Sequence, residues 1–190
     1  KDHTSFTYIH PFSPTYALVE FTLFNNEMLS QEEYEEKLKV YIKDYLKIES
    51  FKVVEIEKGI IPMSDYPFTR HHTSHLSKVG TAGGWVRPSS GYSFKNADRN
   101  SQMVVDNIKK GKSPHHKVTK NRYRFYDSIF LSVLKDENYL GPYIFETLYT
   151  KHNMESLFRF LDEESSLLED QKIIHSLNQP AFRKALFKFL

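Results

Sequence analysis

Fifteen residues, Gly80-Thr81-Ala82-Gly83-Gly84-Trp85-Val86-Arg87-Pro88-Ser89-Ser90-Gly91-Tyr92-Ser93-Phe94, constrain the backbone of this chain more than any other stretch. They hold four of its seven glycines and its single tryptophan. Gly80, Gly83 and Gly84 open conformations, or a closeness of approach, that a Cβ forbids. Pro88 fixes one φ angle, and Gly91 frees the backbone again just before a helical pattern starts. A glycine-rich turn that feeds a helix turns unpaired N–H groups toward whatever lies ahead, which suits phosphate or an electron-rich ring. The same residues also suit a tight crossover between a strand and a helix. A glycine cluster alone does not separate the two.

On either side of the turn the pattern changes character. Phe6 to Ile9 reads as a strand, Pro11 and Pro14 mark a loop, and Tyr16 to Phe24 reads as a second strand. Alternation sends Leu18, Glu20 and Thr22 to one face and Val19, Phe21 and Leu23 to the other. Glu20 is the odd member of that apolar strand, and a carboxylate there needs a partner, water or a raised pKa. Ser30 and Glu33 form a capping-box signature for a helix from Gln31 to about Leu46, with Tyr34, Leu38, Tyr41, Ile42 and Tyr45 on one face. Phe51 to Ile61 alternates as a long strand with a bend or bulge at Lys58-Gly59, and Met63 to His75 reads as a loop. After the turn, Asn96 to Lys110 is helical and Gly111 to His116 stops it. From about Asn121 the chain reads as consecutive helices, the last opened by Pro180.

The resulting expectation is an α+β chain in three parts. Antiparallel strands and a helix occupy 1–78, the glycine-rich turn and its helix 79–112, and a helical tail 113–190. With 15 Phe and 12 Tyr, apolar surface is available for a core, a lipid-like ligand, or both. The absence of cysteine rules out a disulfide framework and thiolate chemistry and fits an intracellular compartment. No apolar run approaches the length of a membrane span. The chain opens on Lys1 with no signal-peptide pattern, as a piece cut from something longer does. Net charge is only +2, yet it is −4 over residues 1–58, +9 over 59–125 and −3 over 126–190. An electropositive centre suits a pyrophosphate or an anionic membrane surface. Nucleic acid is the competing partner, but no nucleic-acid fold signature accompanies the charge.

Several motifs together resemble the lycopene cyclase family, flavoproteins related to the FAD-dependent hydroxylases and the geranylgeranyl reductases. Gly80-Thr81-Ala82-Gly83, Arg87-Pro88-Ser89-Ser90 and Gly91-Tyr92 follow that family's second flavin-contacting segment. In the wider hydroxylase group the second position of the motif is an Asp that binds a ribityl or ribose hydroxyl. Thr81 stands there, as in the cyclases. Pro11-Phe12-Ser13-Pro14, Val19-Glu20-Phe21-Thr22, Gly59-Ile60-Ile61-Pro62-Met63 and Arg159-Phe160-Leu161-Asp162-Glu163 extend the likeness over nearly the whole chain. The resemblance implies the C-terminal part of a glutathione-reductase-like FAD-binding fold. Gly80, Thr81, Ala82, Gly83, Pro88, Gly91 and Tyr92 would be its cofactor-contacting residues. No Gly-x-Gly-x-x-Gly follows a strand, so the dinucleotide-binding half is missing from this sequence, and the chain alone is expected to hold flavin poorly.

The implied activity is cyclisation of a carotenoid end group without net redox change, with reduced FAD adding electron density nearby. Protonating a carbon–carbon double bond requires a carboxyl group in an apolar setting, and aromatic faces can stabilise the resulting cation. Glu20 matches the first acid of the family's Glu-Asp-Thr or Glu-Glu-Thr motif and is the candidate catalytic acid. Phe21 replaces the second acid, which is a departure from the pattern. The expected setting is cytoplasmic and peripherally membrane-associated, where a long isoprenoid resides. Two other functions remain open: a non-catalytic helical membrane-docking or interaction domain, and a geranylgeranyl reductase-like saturation of double bonds. His71, His72 and His75 lack the acid of a His-Glu-x-x-His metal motif and read as surface or channel residues, with no metal expected. His115-His116 reads as solvated or near a headgroup layer. The acids at 162–164 and 169–170 read as a solvated helix edge rather than a paired-acid site.

Overall fold

The computed structural model describes residues 3–73 and 75–189; Lys1, on which the reading of the chain's start rests, lies outside them. The class is α+β, with two antiparallel strands and seven α-helices among the described residues. The chain divides into two compact units, Lys1–Gly59 with Glu137–Pro142, and Ile60–Asp136 with Tyr143–Leu190.

The first unit is built on a β-ribbon. β1 (Ser5–Ser13) pairs antiparallel with β2 (Tyr16–Leu23), in a register that sets Tyr8 opposite Glu20 and Thr7 opposite Phe21. β1 runs through Pro11, where the sequence points to a loop, and the register shifts between Pro11 and Ser13. A two-stranded ribbon consists only of edge strands, the setting in which a proline without an N–H is tolerated. The turn tightens to Pro14 and Thr15. Asn138 closes the other end of the ribbon: its Oδ1 accepts from Thr4 N at 2.5 Å, and its Nδ2 donates to Phe24 O at 2.9 Å.

α1 (Gln31–Val40) starts as its sequence dictates. Ser30 Oγ accepts from Glu33 N at 3.2 Å, and Glu33 Oε2 accepts from Ser30 N at 2.8 Å. One π-helical turn, Tyr41–Tyr45, extends it to the expected end at Leu46. Its Tyr34 packs against Phe21 of β2 with ring centroids 6.0 Å apart. The expected strand over Phe51–Ile61 does not form: the segment has no regular secondary structure and pairs with no described strand, with Val53, Val54 and Ile56 all well exposed. Alternation gives a strand its two faces, but only a neighbouring strand can take up its N–H and C=O groups. Without a ladder there is no bulge at Lys58-Gly59.

The second unit carries the remaining helices: α2 (Phe94–Lys109), α3 (Asn121–Asp136), α4 (Gly141–Lys151, its first two residues counted with the first unit), α5 (Met154–Leu161), α6 (Leu167–Ser176) and α7 (Pro180–Phe187). Each boundary has a local cause. Gly111, at φ +66°, ends α2 in a Schellman motif, with Gly111 N bonded to Ile108 O and Lys112 N to Asn107 O. Asn153 caps α5, Ser166 and Glu169 form a capping box on α6, and Pro180 sits in the first turn of α7. α3 is the central column, burying Tyr123, Phe130, Val133 and Leu134. α7 lies along it, with Phe182 beside Phe130 and Lys188 bonded to Asp136 at 2.5 Å.

Candidate functional site

The glycine-rich stretch is a single 3₁₀ turn, Gly80–Gly83, entered at Gly80 with φ +59° and left through Gly84 with φ +72°. Trp85 N reaches back to Gly80 O at 3.0 Å and Gly84 N to Thr81 O at 3.1 Å. Its glycines serve different ends. A Cβ on Gly83 would lie 2.5 Å from Lys78 O, and one on Gly84 would lie 3.1 Å from Phe68. These two are glycine so that the turn can pack on its own protein. A Cβ on Gly80 would meet nothing within 4 Å. Beside it Thr81 and Ala82 are exposed, so Gly80–Ala82 is the turn's open face.

The second half closes as a loop on Arg87, whose N–H bonds to Tyr92 O at 2.8 Å while its carbonyl accepts from Gly91 N at 2.9 Å. Gly91 has φ +72°, and a Cβ there would touch Ile61 Cγ2 at 3.0 Å. Pro88 and Tyr92 are half-buried. The anchor is the Arg87 side chain, 1 % exposed. Its Nε lies 3.1 Å from Asp127 Oδ1 on α3, its Nη1 donates to Phe160 O at the end of α5, and its guanidinium stands 4.6 Å from the Phe160 ring centre. Ser89 Oγ donates to the same Asp127 oxygen at 2.5 Å. Burial pushes the Asp127 carboxyl up, against the pull of Arg87 and Ser89. The family motif's basic residue and first serine thus hold the turn to the helices. Sequence spacing gave no sign of this, because burial of an arginine depends on a partner forty positions away.

Glu20 sits half-buried on β2 and accepts a hydrogen bond from the Tyr8 hydroxyl at 2.5 Å. Thr22 Oγ1 lies 3.4 Å from its other oxygen. The bond to Glu20, with some burial, pushes the Tyr8 phenol up to about 12. Phe21 points the other way, against Tyr34 and beneath Lys37, whose Nζ is 5.8 Å from the ring centre. Sequence reading missed Tyr8 as the partner of Glu20: a two-residue turn at Pro14-Thr15 alone would set Tyr8 opposite Phe21, and the register shift between Pro11 and Ser13 brings it opposite Glu20. Glu20 belongs to the first unit and the glycine turn to the second.

The acids of the tail are not a solvated edge. Asp162 and Asp170 are buried, the former bonded to Lys95 Nζ at 2.6 Å, the latter to Ser165 Oγ at 2.5 Å and Tyr126 at 3.3 Å. Glu163 adopts φ +60° after α5, is paired with Arg99 at 3.1 Å, and has its carboxyl pushed up by burial. His115 is likewise packed rather than free: its ring stacks on that of His72. Among the described residues no three His, Cys, Asp or Glu side chains gather as a metal site, and no helix is long and apolar enough to cross a membrane.

Comparison with known families identifies the chain: the model described as lycopene cyclase protein matches residues 1–186, and the chain belongs to the lycopene cyclase family. No curated protein matches the chain. No solved structure matches it either.

Asp127→Ala leaves a buried guanidinium without its counter-charge and is expected to cost about 3–5 kcal/mol in urea unfolding. Replacing both partners with apolar residues, Arg87→Met with Asp127→Leu, should cost far less than the single change. Equal losses in the two proteins would show that the pair is not what holds the turn.

Proposed function

We propose that this protein acts in carotenoid biosynthesis as a lycopene β-cyclase-like, FAD-dependent enzyme, an intramolecular lyase or isomerase that closes a carotenoid end group without net redox change. The family match over residues 1–186 carries the reading, and the family is generally flavin-associated. The structure offers a consistent cradle. The space in front of Gly80 is open, Thr81 and Ala82 are exposed beside it, and the residues behind them are fixed by packing. Gly80, Thr81, Ala82 and Gly83, with Pro88, Gly91 and Tyr92, are the residues assigned to hold the flavin. The glutathione-reductase-like fold, with a dinucleotide-binding half supplied from outside this sequence, belongs to the same proposal. Bound in its reduced form, the flavin supplies electron density beside a developing carbocation.

The chain's own part is proton chemistry. Glu20 is assigned to protonate the terminal double bond, and the Tyr8 hydroxyl, already donating to it at 2.5 Å, holds the carboxylate left behind until a proton returns from the ring carbon. Glu20→Gln keeps the size of the side chain but cannot deliver a proton. Ring formation from lycopene, resolved by chromatography, should fall roughly a hundred- to ten-thousand-fold while the circular dichroism stays unchanged. Normal yields of cyclic product would remove Glu20 from the chemistry.

The cofactor assignment has its own test. Gly80→Leu adds a side chain whose Cβ has no protein atom within 4 Å, so its main expected cost to folding is the strained φ, about 1–2 kcal/mol. Flavin occupancy, read from the absorbance of the protein purified together with its dinucleotide-binding half, is expected to drop. Unchanged occupancy would take the turn out of the flavin site.

Attachment to the cytoplasmic side of a membrane is part of the same reading, since a carotenoid resides in the bilayer. The +9 balance over residues 59–125 and the exposed Leu167 and Leu168 support it. The protein should sediment with anionic liposomes and be partly released by salt. If it stays in the supernatant with every lipid mixture, peripheral attachment is wrong.

A further inference from the structure

Two imidazole rings lie face to face where the approach to the glycine turn meets the loop after α2. His72 and His115 have ring centroids 4.4 Å apart and planes within 9° of parallel. His72 Nδ1 accepts the Lys78 N–H at 3.2 Å, so that nitrogen carries a lone pair and the neutral ring keeps its proton on Nε2. His115 Nδ1 stands 3.0 Å from Ser77 Oγ and 3.0 Å from Ser113 Oγ. The loop that bears His115 is fastened to α2, because Asn107 Nδ2 donates to Pro114 O at 3.1 Å and to His116 O at 2.9 Å. On the other side, the carbonyl of Lys78 occupies the space that a Cβ of Gly83 would need, 2.5 Å from its position. The His72 ring therefore holds the amide of the same residue whose carbonyl supports the glycine turn.

We propose that the His72–His115 stack is a pH-sensitive clasp, in which neutral His72 positions Lys78, and through it the Gly80–Gly84 turn, and releases both on protonation. A second proton on His72 must go to Nδ1, which already faces the Lys78 N–H; donor would then confront donor. The imidazolium would also lie flat against His115 and near His71, itself tied to the Tyr66 hydroxyl at 2.6 Å. Burial, then His115, then His71 hold His72 below the ordinary imidazole value. The sign follows from that depression. The clasp contributes its full stability above the unfolded value of about 6.5 and loses it as pH falls through the lower folded value. This inference deepens the cofactor reading of the turn, and rests on that reading only for its consequence, a flavin cradle that loosens in acid.

Trp85, the chain's only tryptophan, is two residues beyond Gly83 and 9 % exposed, so its fluorescence reports the turn without any cofactor. Lowering the pH from about 7 to about 5 should change its emission in one step, with a midpoint under the ordinary histidine value and no loss of helical circular dichroism. In His72→Asn the Oδ1 stands in for Nδ1 but cannot be protonated, and the step should vanish with the emission at pH 7 unaltered. His115→Phe keeps a flat ring while removing the neighbouring charge, so the midpoint should move up. His152, also held low by burial and by Lys151, is bonded to Ser176 on α6, and His152→Asn should leave the step in place. A featureless titration of the unsubstituted protein, or the same step in His72→Asn, overturns the clasp. If His72→Asn does not fold, nitrogen-15 spectra of the histidine rings decide: a proton on His72 Nδ1 at pH 7 overturns it, and one gained together with the Trp85 change upholds it. An emission step in a protein that takes up no flavin even when joined to its dinucleotide-binding half leaves the clasp standing and fails the cofactor reading instead.

Discussion

The buried pair of Arg87 and Asp127 is the constraint on which the second unit is arranged. Two charges taken out of water incur a desolvation penalty that mutual attraction offsets only with good geometry and further hydrogen bonds. Here the guanidinium has a carboxylate, a helix-end carbonyl and two aromatic faces within reach, while the carboxylate also has Ser89. Nη2 of Arg87 and Oδ2 of Asp127 are still without protein partners. The pair is therefore poorly explained as a source of stability and better explained as a fixed point. It brings the glycine stretch, the middle of α3 and the end of α5 to one place.

With that end fixed, the glycines of the turn divide by what lies in front of them. Gly83, Gly84 and Gly91 each face the protein's own atoms and are needed for close packing. Gly80 faces open space, and the backbone reason for glycine there is its positive φ rather than packing. The crossover reading accounts for the close packing at Gly83, Gly84 and Gly91, and the proposed flavin contact falls chiefly on the open face at Gly80–Ala82. The turn is backed by Lys78, Phe68 and Ile61 as well as by Arg87.

What was legible in the sequence follows the range of the interactions concerned. Ser30 with Glu33, Pro180 and the glycine at 111 act within one helical turn, and the helix ends they imply lie where expected. The segment 51–61 has the alternation of a strand, but pairing is a long-range event, and no described strand lies alongside to complete it. Burial of charged side chains is equally non-local. Asp162 and Asp170 sit in an acidic run that reads as solvated, yet Lys95 on α2 and Tyr126 on α3 take them inside. The stacking of His72 on His115 joins residues separated by an entire helix, and neither residue's immediate neighbours announce it. At Glu20 the sequence supplied the residue and its face, while the ribbon's register supplied Tyr8.

That register also bears on the missing second acid. Successive side chains on a strand point to opposite faces, so a carboxylate at position 21 would not stand beside Glu20. It would meet Tyr34 and Lys37 of α1, which now enclose Phe21 with an aromatic contact and a cation above the ring. An acid there would be ion-paired to the helix; phenylalanine instead packs the ribbon onto it. The residue that shares a face with Glu20 and donates a hydrogen bond to it is Tyr8 on the paired strand. Phenylalanine at position 21 therefore bears on how the ribbon is seated on α1, while the hydrogen-bonded pair of Glu20 and Tyr8 lies on the opposite side.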